Sequence, residues 1–104
     1  MLCVVTIRIP IEAGNAALAD PNFGKKMQQV LGDVKAQAAY FTTVNGQRGG
    51  YIIVDIADAS QIPAVAEPFF LWLKADVQFA PAMRPEDLAQ AGPSIGAALA
   101  KWGA

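Results

Sequence analysis

Histidine is absent from this sequence, and cysteine occurs once, as Cys3. Without an imidazole, neither a Ser-His-Asp nor a Cys-His nucleophile system can be assembled, and the usual zinc ligand sets are out of reach. A lone cysteine cannot close an intrachain disulfide. Cys3 sits near the start of an apolar strand pattern with no basic group beside it in sequence, so it reads as a small hydrophobe and not as a nucleophile. No Gly-x-Gly-x-x-Gly and no phosphate-binding loop can be written from the glycines, which removes the usual dinucleotide fingerprints. No metal and no cofactor are expected.

Charge is also scarce, at 16% of residues, and it is balanced: eight Lys and Arg face nine Asp and Glu, for a net charge of −1. No block of like charge occurs, so nucleic acid and anionic membranes are poor partners. The longest apolar run, from Pro68 to Leu73, is far short of the roughly 20 residues that span a bilayer. The segment Met1-Leu2-Cys3-Val4-Val5 lacks a basic leader and a small-residue cleavage site, so it reads as a strand, and a cytoplasmic location is expected.

What is abundant is apolar surface. Hydrophobic residues make up 54% of 104 positions, a length that supports one core and leaves much of it thinly covered. Such an excess points to self-association. The division expected is a domain over residues 1–90 and a helical tail over 91–104.

Along the chain, Leu2 to Ile9 alternates: Cys3, Val5, Ile7 and Ile9 on one face, Val4, Thr6 and Arg8 on the other. Pro10 ends that strand, and Glu12 to Ala19 reads as a short helical stretch. Asp20-Pro21 looks like a cap and first turn for a helix in which Phe23, Met27, Val30, Leu31 and Val34 form one stripe. Ala38 to Val44, the turn Asn45-Gly46, and Gly50 to Ile56 give strand, hairpin, strand. In the second of these strands Ile52, Val54 and Ile56 oppose Tyr51, Ile53 and Asp55. Asp58 or Ser60 can cap a helix carrying Ile62, Val65, Ala66, Phe69, Phe70 and Leu73, which Pro68 should kink or divide. One of Phe69, Phe70 and Trp72 should face solvent or a partner. Ala75 to Pro81 is a last strand, with Val77 and Phe79 opposite Asp76, Gln78 and Ala80. A break at Ala91-Gly92-Pro93 precedes a short stripe of Ile95, Ala98, Leu99 and Trp102.

The order βαββαβ, with right-handed crossovers, gives an α+β fold of the ferredoxin-like type: an antiparallel sheet in the order 4-1-3-2 with both helices on one face. The other face, bearing Val4, Thr6, Arg8, Tyr51, Ile53 and Asp55, is left open. Two such faces packed together would make a closed, partly polar interior, so a symmetric homodimer is expected.

The strand Leu2 to Arg8, the strand Gly50-Tyr51-Ile52-Ile53-Val54-Asp55, the helix with Pro68-Phe69-Phe70 and the strand Ala75 to Met83 together resemble the dimeric α+β barrel superfamily. The layout is similar to that of muconolactone isomerase-like small proteins and covers roughly residues 1 to 90. The resemblance implies a dimer. Members of that superfamily include isomerases, cofactor-independent monooxygenases, haem enzymes and proteins with no known activity, so it leaves the chemistry open. Many of its enzymes use a His for acid-base work or haem ligation, and the lack of one here speaks against both.

The candidate pocket is Arg8, Thr6, Tyr40, Tyr51 and Asp55. A guanidinium on a face that becomes interior must meet an anion, either a substrate carboxylate or a salt-bridge partner at a dimer edge. Antiparallel pairing of the first and third strands should put Asp55 nearer Val4 and Tyr51 nearer Arg8, so an Arg8–Tyr51 contact is expected over an Arg8–Asp55 one. Tyr40 and Tyr51 can orient a ligand or simply anchor the sheet. Asp55 or Asp76 would serve as a base only with a raised pKa. Three functions follow: a cofactor-free isomerase or monooxygenase acting on a small hydrophobic or aromatic metabolite, a non-catalytic module binding the same class of ligand, or a structural dimer whose tail docks on its partner.

Overall fold

A computed structural model describes all residues, Met1–Ala104. The elements run β1 (Leu2–Arg8), α1 (Ile11–Leu18), α2 (Phe23–Asp33), β2 (Ala38–Val44), β3 (Gln47–Asp55), α3 (Ile62–Leu73), β4 (Asp76–Pro81), α4 (Pro85–Gln90) and α5 (Gly92–Trp102). The strands form one antiparallel sheet in the order β2-β3-β1-β4. This is the expected order read from the other edge, and the layout is compatible with a ferredoxin-like fold.

The two faces of the sheet follow from the alternation in sequence. Cys3, Val5 and Ile7 of β1 and Ile52 and Val54 of β3 are buried, and they meet Met27 of α2 and Val65, Phe69 and Leu73 of α3 in a single core. Phe69 and Leu73 are among its most completely buried side chains. Fully burying a side chain of this size contributes about 1.5–3 kcal/mol, so the contact of α3 with the sheet is the main anchor of the layer. No polar or charged residue is buried.

Local chemistry sets the ends of the elements. Pro10 precedes the first turn of α1. Asn22, and not Asp20, is the residue that flanks the start of α2. Asp20 instead accepts a hydrogen bond from the Asn22 N–H at 2.9 Å and a second from Lys26 at 2.7 Å, tying the loop to the helix it precedes. Asp58 accepts from the Ser60 N–H at 2.8 Å and opens a short 3-10 turn, Ala59–Gln61, that leads into α3. Pro68 does not divide α3, which runs unbroken from Ile62 to Leu73. The missing bond falls on the carbonyl of Ala64, which lies on the exposed side of the helix, where water can replace it. Of the three aromatics of α3, Phe69 is buried, Trp72 packs against Phe23 with ring centres 5.5 Å apart and planes tilted by 37°, and Phe70 is exposed.

The hairpin turn Asn45-Gly46 has positive φ at both residues, 48° and 78°, as a two-residue hairpin matched to strand twist requires. Strand β3 starts directly after it, earlier than Gly50. The glycines Gly49 and Gly50 are strand residues here and not turn residues. A Cβ at Gly49 would collide with the Ile7 carbonyl oxygen, and one at Gly50 with that of Tyr40. Only glycine lets β3 lie this close to both neighbours.

The chain beyond β4 leaves the body. Neither α4 nor α5 buries a residue. The radius of gyration is 17.2 Å, against about 13 Å for a compact chain of this length.

Candidate functional site

The open face of the sheet is defined by its register, because residues directly opposite one another share a face. Three rows cross it. The central row is Tyr40, Tyr51, Thr6 and Gln78. Towards the hairpin lies the row Thr42, Gly49, Arg8 and Asp76, and on the other side the apolar row Ala38, Ile53, Val4 and Ala80. The face is thus polar and aromatic in one half and aliphatic in the other.

Arg8 bonds to Asp76 of β4, its direct neighbour across the ladder, with the Nε at 3.1 Å from one carboxylate oxygen and a second, shorter bond from the guanidinium to the same oxygen. Tyr51 stands opposite Thr6, and Arg8 stands opposite Gly49. Tyr51 thus lies one row from Arg8 and borders the same hollow, while the direct cross-strand partner of Arg8 is Asp76. The reason is register: Asp76 and Gln78 were assignable to the open face from their alternation, but alternation alone does not say which residue of β1 each one meets.

Thr6, Arg8, Tyr51, Asp76 and Gln78 join Val44 and Asn45 of the hairpin around a hollow of about 280 Å³. Its donors and acceptors are the Arg8–Asp76 pair, two hydroxyls and two amides. Val44, Asn45 and Gln78 were not among the residues singled out from sequence. The hairpin signal at Asn45-Gly46 is visible in sequence, but nothing local shows that the turn borders the same hollow as the open face.

The other candidates lie apart from this hollow. Tyr40 neighbours Tyr51 in the central row but does not line the hollow, and its side chain is largely exposed. Asp55 stands opposite Leu2, at the Val4 end of β1 as expected and far from Arg8. That places it six residues from the level of Arg8, about 20 Å at the strand rise. There it accepts from the Met1 amino group at 2.8 Å and faces Arg84 at 3.8 Å. The hydrogen bond from that amino group, then its charge and more weakly that of Arg84, hold the Asp55 carboxyl below its ordinary 3.8. A carboxylate stabilised in this way is a poor proton acceptor near neutral pH.

Cys3 is buried in the core, and no cluster of three His, Cys, Asp or Glu exists that could hold a metal ion. No helix is long and apolar enough to cross a membrane. Compared with known protein families and with curated proteins, the chain matches none.

Proposed function

We propose that two copies of this chain stack their open sheet faces and enclose a compartment that binds a small hydrophobic or aromatic molecule bearing a hydroxyl or carbonyl group. The observation that carries this reading is the central row Tyr51, Thr6 and Gln78 beside the hollow at Arg8 and Asp76. Val4, Ile53 and Ala80 supply the apolar half of the same face. Ligand sites combine an apolar lining with a few convergent polar groups, as this face does. The first test is titration with 4-hydroxybenzoate, as a probe of this ligand class, followed by amide NMR shifts. Saturable changes confined to Thr6, Tyr51, Gln78 and their neighbours are expected. Shifts scattered over the surface, or none up to millimolar probe, would contradict the reading.

A further inference from the structure

Helices α4 and α5 form an arm with a largely uncovered apolar stripe, on which the Lys101 ammonium rests over the Trp102 ring at 5.2 Å. Ile95, Leu99 and Trp102 are 52%, 68% and 76% exposed, and Leu88 behind them is also exposed. From Leu88 to Ala100 the arm carries no charged residue. The molecule measures 57 × 28 × 21 Å, and two helices of this length run about 25 Å at 1.5 Å per residue. The excess of the long axis over the next is therefore the arm itself, pointing away from its own body.

The body has a site of matching chemistry that its own arm does not reach. On the helix side of the sheet, at the Arg8 end and next to edge strand β2, Ile9, Leu18, Phe23, Met27 and Phe41 line an apolar groove of about 390 Å³. Leu18 and Phe41 are exposed at its rim. The arm departs from the opposite corner, because β4 ends at Pro81 opposite Cys3 on the far edge of the sheet.

Area gives the reason for a second copy as the occupant. Four strands spaced about 4.8 Å apart and about 20 Å long offer a projected footprint of about 400 Å², so stacked sheets alone make a small interface beside the about 800 Å² of accessible surface that each partner contributes to a standard stable one. An aromatic side chain alone buries about 150–250 Å², so an arm carrying Trp102, Leu99 and Ile95 adds a substantial share of a standard interface to what the stacked sheets bury.

We infer that the arm is exchanged between copies, with Leu99 and Trp102 of each chain seated in the partner's groove against Leu18, Phe23 and Phe41. This inference rests on the dimer proposed above and adds the element that holds it together. The groove is apolar apart from Thr42 and Arg48, and the charges of the arm, Glu86, Asp87 and Lys101, lie at its two ends with an uncharged stretch between them, so a nucleic-acid partner does not fit either surface.

The test uses the full chain. Sedimentation equilibrium is run on the parent and on Leu99→Ser/Trp102→Ser, whose changes fall on exposed positions and leave the core untouched. Mixed disulfide formation is then measured between a Trp102→Cys chain and a Phe41→Cys chain, and the emission of Trp102 is read in a Trp72→Phe background. Expected are a dimeric parent, at least a tenfold rise in the dimer dissociation constant of the double variant, a cross-link joining the two different chains, and blue-shifted Trp102 emission that moves to the red on dilution. A parent dimer with unchanged affinity in the double variant, water-exposed Trp102 emission and no cross-link would overturn the exchanged arm while leaving the stacked sheets standing. A parent that stays monomeric up to millimolar concentration would overturn the dimer itself, and the arm exchange with it.

Discussion

At the scale of single residues, glycine and aspartate do the positional work. Gly50 lies in β3 between Phe41 and Ile7, where a Cβ meets the Tyr40 carbonyl oxygen. Gly50→Ala must push β2 away from β3, and forcing extra atoms into a close-packed place costs about 1–3 kcal/mol, which urea unfolding would read as a lower midpoint at unchanged slope. Asp20 provides a pH-dependent contribution. Its hydrogen bond from Lys26, then that from the Asn22 N–H, hold its carboxyl below the ordinary 3.8. The folded chain thus binds this proton less readily than the unfolded chain, so the stabilisation is present above about pH 4 and is lost as pH falls through the lower, folded pKa. Thermal midpoints of the parent and Asp20→Asn should differ near neutral pH and converge in acid. Because the group is exposed, the difference should be small and should shrink further in high salt.

At the scale of elements, the packing of α3 on the sheet governs stability. Phe69 is nearly fully buried, so Phe69→Ala should cost about 3–5 kcal/mol in equilibrium denaturation, through lost transfer energy plus the cavity left behind. A loss below about 1 kcal/mol would mean that α3 is not packed as described. The elements were legible in sequence wherever one face is buried. The two-residue period of Leu2 to Ile9 and of Tyr51 to Ile56, and the stripe of Phe23, Met27 and Val34, each record contact with the same core. Where both sides of an element meet solvent or a backbone, sequence was silent. The start of β3 at Gln47 was missed because Arg48-Gly49-Gly50 carries no alternation, its glycines being required by neighbouring carbonyls and not by a local turn. The Arg8–Asp76 pair was missed for a related reason, since alternation assigns a face and the ladder assigns the partner. Pro68 is expected from sequence to kink or divide α3, and it does not divide it, because the burial of Val65, Phe69 and Leu73 on either side outweighs the local cost of about 3 kcal/mol.

At the scale of the whole molecule, one face of the sheet is covered by helices and the other is not. The uncovered face is neither uniformly polar nor random. It is ordered into an aliphatic row, an aromatic and hydroxyl row, and a row bearing the Arg8–Asp76 pair. A face graded in this way, on a chain whose hydrophobic content is 54%, is what an interface with an internal compartment would require. Ile53 stands in the aliphatic row, half-buried and flanked by Val4 and Ala38. An aspartate there would place two like charges between stacked sheets at a cost that water in the free monomer does not impose. The measurement that tests this most directly is sedimentation equilibrium of the parent and Ile53→Asp, with far-UV circular dichroism to verify that both remain folded. The proposed assembly predicts a dimeric parent and a folded, monomeric variant. A monomeric parent, or a variant that dimerises as tightly as the parent, would contradict it.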